Sequence, residues 1–240
     1  MKIAVILPMY NEEDNAPLIL DHLDTVRKKY HLDLQVIAIN DGSQDSTREV
    51  LTTLKKTYPT LIVVDYDQNK GMGGALKEGI SKALASGVEV LVFMDADLTH
   101  DGNDIPKFIK KIEEGYDLVL GSRFVPGGKM VGVPYLRALI SKMGNMVGKI
   151  LLNVPVRDFT TGFRAGKREV FKKIILTETG FGIQLEETVL AAANGFKLGE
   201  VPIILTTRRF GNSKMIYNGK LVKSYYKLLR KCIHIRFKGV

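Results

Sequence analysis

Five short apolar runs, most of them rich in Val and Ile, alternate with helical stretches through the first 120 residues. The runs cover residues 3–7, 34–40, 61–66, 88–94 and 118–120. Between them, at 12–29, 45–57, 74–85 and 105–114, apolar positions such as Ile19, Leu23 and Val26 recur at helical spacing. Strands that are mostly apolar need cover on both faces, and strands separated by helices pair in parallel. The expected fold class is therefore α/β: a doubly wound, Rossmann-like, mostly parallel central sheet with helices on both faces. The second half is less regular. It reads as a mobile Gly/Pro loop at 126–134, a helix at 135–152, a loop at 153–164, helices at 167–174 and 183–194, a strand at 198–207, and a basic helical stretch from 215 to 240.

Composition removes several function classes. A single cysteine, Cys232, forms no internal disulfide, so a stapled secreted fold is excluded and a reducing cytosol is expected. The histidines at 22, 31, 100 and 234 are too scattered for a zinc site. A spanning helix needs about 20 mainly apolar residues, whereas the best run, 88–94, is short and contains Glu89. The first residues read as a buried strand and not as a secretory signal. With 35 basic and 26 acidic residues the net charge is +9. That charge suits nucleic acid, an anionic membrane surface or phosphorylated small molecules. No nucleic-acid recognition motif accompanies it, and nucleic acid is not expected as a partner.

In an open parallel sheet, ligands bind beyond the carboxyl ends of the strands. Strand one is followed there by Pro8-Met9-Tyr10-Asn11-Glu12-Glu13, strand two by Asn40-Asp41-Gly42-Ser43, and strand four by Asp95-Ala96-Asp97. Helix capping explains Glu13 and Asp14, and it competes for Asn11 and Glu12. Asp41 is equally well a turn residue before Gly42. Asp95 and Asp97 close a buried strand and bring two charges together, a repulsion that a divalent cation relieves. Hard oxygen ligands suit Mg²⁺ or Mn²⁺ shared with substrate phosphates. The segment 71–76, Gly-Met-Gly-Gly-Ala-Leu, has Leu76 where a dinucleotide loop needs glycine, and it follows the wrong strand. It reads as a tight turn into a helix with close backbone packing. Arg123, Arg137, Arg164, Arg208, Arg209 and Lys214 supply the complementary charge. Arg164 is equally well an ion-pair partner of Asp158.

Taken in order, seven motifs resemble the GT-A glycosyltransferases of family 2, and within them the dolichol-phosphate mannosyltransferase group. They are Pro8-x-Tyr10-Asn11-Glu12, Asn40-Asp41-Gly42-Ser43-x-Asp45-x-Thr47, Asp95-Ala96-Asp97-Leu98-x-His100, Gly121-Ser122-Arg123, Thr161-Gly162-Phe163-Arg164, Glu200-Val201-Pro202 and Arg208-x-x-Gly211-x-Ser213-Lys214. The resemblance implies that Pro8, Tyr10, Glu12, Ile39 and Asp41 hold the nucleoside. It implies that Asp95 and Asp97 hold the metal and diphosphate, with Ala96 on the nucleotide. Arg123, Arg208 and Lys214 would clamp donor and acceptor phosphates, Asp97, Arg123 and Arg208 forming the catalytic set. Arg137 and Ser141 would receive the lipid phosphate, and residues 124–134 would form a mobile acceptor loop. Two positions depart from the pattern. Asn40 stands where many members have a first Asp. Thr99 stands where some carry Gln as a further metal ligand, and its hydroxyl would ligate weakly or through water. Many prokaryotic relatives continue into transmembrane helices, and this chain resembles the short form without them.

The resemblance implies an inverting transfer of a hexose, mannose from GDP-mannose being favoured, to dolichyl or polyprenyl phosphate. UDP-glucose or UDP-GlcNAc as donor is the alternative. A lipid monophosphate has a second pKa of about 6, by analogy with phosphorylated side chains, and is already nucleophilic at neutral pH. No strong general base is required. A sugar nucleotidyltransferase would want a glycine-rich basic loop after strand one, where this chain has acids; a non-catalytic basic module would have no use for the D-x-D pair. We divide the chain into a catalytic domain over 1–214 and a basic amphipathic tail over 215–240. From residue 214 onward there are eight Lys and Arg and no acid, interleaved with apolar residues. That pattern suits a membrane surface, or equally a helix packed on its own domain. The expected location is cytoplasmic, peripheral on the cytoplasmic face of a membrane, with recruitment by the tail or by a membrane-protein partner.

Overall fold

The computed structural model describes residues 1–210 and 219–238. Its first half alternates strand and helix: β1 (Lys2–Met9), α1 (Asn15–Lys29), β2 (Asp33–Asp41), α2 (Thr47–Thr57), β3 (Leu61–Tyr66), α3 (Gly71–Ala85), β4 (Val90–Phe93), α4 (Ile105–Glu113) and β5 (Leu118–Ser122). There follow β6 (Lys129–Met130), α5 (Tyr135–Leu152), β7 (Arg164–Lys167), α6 (Arg168–Lys173), α7 (Ile183–Ala193), β8 (Leu198–Pro202), β9 (Ile204–Leu205) and α8 (Gly219–Lys238). Seven strands form one sheet in the order β3-β2-β1-β4-β7-β5-β8. All neighbouring pairs are parallel except those of β7, which runs antiparallel between β4 and β5.

Side chains alternate across a strand, and here each face has its own core. Ile6, Ile37, Ile39 and Phe93 point to the layer holding α3, α6, α7 and α8. Val5, Leu7, Val36, Ala38 and Val92 point to the layer holding α1, α2 and α4. Continuous apolar runs in β1 and β2 are the sequence consequence of that double cover.

Three features differ from the sequence expectation. The stretch expected as one strand at 198–207 divides into β8 and β9. β9 pairs with β6, so the loop expected to be mobile at 126–134 is tied to the body by a two-stranded sheet. β7 was expected as loop and helix. Its sequence, Arg-Ala-Gly-Lys, carries no strand pattern, and its conformation comes from hydrogen bonding to strands on both sides.

The described part of the basic tail is α8. Part of its apolar surface is covered: Leu228, Cys232 and Ile235 are buried in the core shared with α7, while Tyr226 and Phe237 are exposed. Lys231 pairs with the buried carboxylate of Glu186. Among the described residues no helix is long and apolar enough to cross a membrane.

Candidate active site

The loops after β1 and β2 are laced together by their polar residues. Asn11 N donates to Ser43 Oγ at 3.0 Å, Glu12 N to Thr47 Oγ1 at 2.9 Å, and Glu13 N to Asp45 Oδ2 at 3.2 Å. In return Gln44 N donates to Asn11 Oδ1 and Ser46 N to Glu13 Oε2. Capping was the expectation for Glu13 and Asp14. Glu13 instead serves the neighbouring loop, and Asp14 stands at the N-cap of α1 with no side-chain cap bond. Asn11 adopts φ 53°, a left-handed conformation that Asn tolerates better than most residues. This lacing fixes Tyr10 and Glu12 at the sheet edge. Asp41 closes β2 and accepts from Lys70 N at 2.8 Å; burial raises its pKa against that bond. Asn40, the departure from the family pattern, donates to Asp65 Oδ1 on the adjacent strand at 2.5 Å. An aspartate there would face a second carboxylate.

Asp95 and Asp97 follow β4. Asp97 Oδ1 accepts from Thr99 N at 3.1 Å and Thr99 Oγ1 at 2.6 Å, and Asp97 Oδ2 meets Arg208 Nε at 2.8 Å. Arg208 also reaches Glu12 Oε1 at 3.5 Å. It is carried there by the segment after β9, which is pinned where Thr206 N donates to Thr99 O. Loss of water around Asp95, and then the charge of Asp97, push the Asp95 pKa up to about 7, despite the opposing pull of Arg208, Arg123 and Arg164. Gly162 lets the next loop approach: a Cβ there would lie 2.9 Å from Asp95 Oδ1. His100 is buried against Phe163, and burial lowers its pKa to about 4, so it is neutral at pH 7. Its Nδ1 has no hydrogen-bond partner and stands 3.8 Å from Asp95 Oδ2. Among the described residues no group of three or more His, Cys, Asp or Glu gathers to cage a cation. Two repelling carboxylates on one wall of an open cavity do fit a hard divalent ion that takes its other ligands from a diphosphate. Thr99, expected as a further ligand, uses its hydroxyl to hold Asp97.

Arg123, expected to clamp phosphate, is anchored on a carboxylate beside the cavity. Its Nε and Nη2 form a fork on Asp158, both bonds at 2.7 Å, and its backbone N donates to the same carboxylate. Asp158 is fully buried, and its own N donates to Glu200 Oε1. Asp158 is therefore the partner of Arg123, whereas sequence reasoning offered it to Arg164. Arg164 points the other way into the protein. It is 1% exposed and donates to the carbonyls of Phe159, Thr161 and Gln184, to Thr188 Oγ1 and to Glu187. It fastens the 159–161 loop to α7 and offers nothing to a phosphate.

One cavity of about 1320 Å³ gathers the remaining candidates: Pro8, Tyr10, Glu12, Asp41, Asp95, Ala96, Asp97, Thr99, Arg123, Arg137, Ser141 and Arg208 all line it. Ile39 does not. Its side chain is buried in the core beneath Gly79. Lys214 lies outside the described residues. Gly73 does not face the cavity either: its N donates to Thr179 O at 2.8 Å, the close packing expected of the glycine-rich turn. Sequence reasoning missed the second half of the wall, where Ile140, Val147, Phe181, Leu185, Tyr226 and Leu229 make an apolar side between α5 and α8. It also missed that α5 is open to solvent. Only Asn145, Gly148 and Leu152 of that helix are buried, while Leu136, Ile140, Met143, Met146 and Ile150 are more than half exposed.

Comparison with known proteins identifies the fold and the family. The sequence profile of glycosyl transferase family 2 matches residues 4–175. Polyprenol monophosphomannose synthase of Mycolicibacterium smegmatis is 37% identical over 89% of this chain and 81% of its own length. Dolichol-phosphate mannosyltransferase of Pyrococcus furiosus is 36% identical over 96% of this chain and 64% of its own. Glucosyl-3-phosphoglycerate synthase of Mycobacterium tuberculosis, in a crystal structure with Mn²⁺, uridine diphosphate and glucosyl-3-phosphoglycerate, superimposes with a TM-score of 0.68 at 17% identity, over 100% of this chain and 81% of that one. The mostly parallel sheet is thus the GT-A fold, and the chain belongs to glycosyl transferase family 2.

Proposed function

We propose that the protein moves a hexose from a nucleotide sugar to dolichyl or polyprenyl monophosphate in one inverting step. The observation that carries this reading is the single cavity with two unlike ends. Carboxylates and backbone loops at the strand ends suit a nucleoside diphosphate, and the apolar wall between α5 and α8 suits an isoprenoid chain. Pro8, Tyr10, Glu12, Asp41 and Ala96 hold the nucleoside. Asp95 and Asp97 would hold Mg²⁺ or Mn²⁺, which when bound neutralises diphosphate charge. Arg208 and Lys214 meet donor phosphates, while Arg123, Arg137 and Ser141 receive the acceptor phosphate. The acceptor oxygen forms the new bond at the anomeric carbon; the bond to the diphosphate oxygen breaks, and its electron pair leaves with the nucleoside diphosphate. A dianionic acceptor needs no base, which accords with a buried, neutral His100. The names of the two relatives favour mannose, and GDP-mannose is the proposed donor.

The same reading places the protein peripherally on the cytoplasmic face of a membrane. Three apolar residues of α8 are buried in the body, so the surface seat is assigned to the open face of α5, a helix that carries Arg137, Lys142 and Lys149 and no acid. An exposed apolar helix face flanked by cations suits an anionic lipid surface.

The test supplies purified protein and Mn²⁺ with undecaprenyl phosphate and, separately, GDP-mannose, UDP-glucose and UDP-GlcNAc. Lipid-linked mannose from GDP-mannose is the expected product. Lipid-linked hexose from none of the three overturns the reading.

A further inference from the structure

On the otherwise exposed helix α5, Asn145 is the one buried polar residue. Its amide is fully used. Nδ2 donates to Ser141 O at 2.9 Å and to Thr160 Oγ1 at 3.1 Å, and Oδ1 accepts from Phe159 N at 2.6 Å. Thr160 Oγ1 is the junction. It also accepts from Arg123 Nη2 at 2.8 Å, and it lies 3.4 Å from Asp158 Oδ1. A continuous path therefore runs from the helix through Asn145 and Thr160 to the guanidinium of Arg123. Arg137, Ser141 and Asn145 are spaced by four, so the face that carries this link is the face turned to the cavity.

We infer that Asn145 is a positioning residue that couples the seating of α5 to the orientation of Arg123. Resting on the acceptor role proposed above for α5, it means that the helix receiving the lipid also sets the cation that meets the lipid phosphate. Asn suits the task because it donates and accepts at once. Alanine removes both contacts and leaves Phe159 N unsatisfied in a buried place.

Two measurements on the full chain test this. In the first, transfer kinetics are compared for wild type, Asn145→Ala, Thr160→Val and the double variant. The expected result is a fall of about tenfold or more in kcat/KM for the lipid acceptor in each single variant, with donor KM unchanged and the double variant no worse than the poorer single one. Additive losses, or a loss in donor KM alone, overturn the inference. The second is amide hydrogen exchange, which needs no activity. Asn145→Ala should speed exchange in 156–163 and, across the chain, in 120–126, where Arg123 N bonds Asp158; faster exchange confined to 135–152 overturns the inference. If Asn145→Ala does not fold, Asn145→Asp serves, since it keeps the acceptor for Phe159 N and loses the donor to Thr160. A wild-type enzyme that transfers no hexose defeats the proposed function, and the exchange experiment still decides the coupling.

Discussion

Arg208 Nε stands 2.8 Å from Asp97 Oδ2, so a residue expected to clamp phosphate holds the carboxylate expected to hold a cation. The two partners compete for one oxygen. Arg208→Ala should lower the melting temperature of the metal-free protein, because it takes the cationic partner from Oδ2 of a buried carboxylate and leaves only the Thr99 bonds to Oδ1. The cost is about 1–2 kcal/mol, below the fully buried figure because Arg208 is partly exposed. The same variant should gain more in melting temperature on Mn²⁺ addition than wild type does, while turnover falls about a hundredfold. Differential scanning fluorimetry with and without Mn²⁺, beside the transfer assay, checks both.

Metal uptake should depend on pH through Asp95. With its pKa raised to about 7, the folded protein holds a proton there that the unfolded chain releases above its ordinary value of 3.8. The folded state then binds more protons, so this group makes metal-free stability fall as pH rises from about 4 to about 7. A cation needs the carboxylate, so Mn²⁺ affinity should climb with pH to about 7 and level off. Asp95→Asn should remove the stability slope and most of the Mn²⁺ response; melting curves from pH 5 to 8 report both.

Asn40→Asp would restore the usual family acid and set it against Asp65. Like charges facing across neighbouring strands destabilise, and here one partner is fully buried. Urea unfolding at pH 7.5 should show a loss of about 1–3 kcal/mol, shrinking at acid pH where the pair keeps a proton.

Replacing Met146 and Ile150 by Glu should abolish co-sedimentation with anionic vesicles and leave the melting temperature within about 2 °C, since both side chains are open to water. A helix whose exposed face were idle would sediment unchanged.

The parts of the fold legible in the sequence were those with local causes. β1, β2, β4 and β5 announced themselves because they are buried on both faces, β3 through its short apolar run, and the D-x-D pair because two acids ending an apolar run need a reason. β7 stayed hidden, since Arg-Ala-Gly-Lys becomes a strand only between β4 and β5. The partners of Arg123 and Arg164 were hidden too. Asp158 lies six residues from Arg164 yet bonds Arg123, thirty-five residues away. Ile39 was placed correctly at a strand end, but alternation turns its side chain into the core. The 3.6-residue spacing of α5 was readable, but not which side the rest of the protein would cover.

β7 also bears on synthesis. β4 and β5 are both made by residue 122, yet they share no hydrogen bonds with each other; each waits for a strand that ends at Lys167. A nascent chain emerging from the ribosome therefore carries β4 open on one edge and β5 open on both through some forty-five further residues. Such edges are prone to pairing with other chains. The middle of this sheet is completed late, with only the edge strand β8 still to come, and a chain released before Lys167 would be a fragment inclined to aggregate instead of a smaller folded domain.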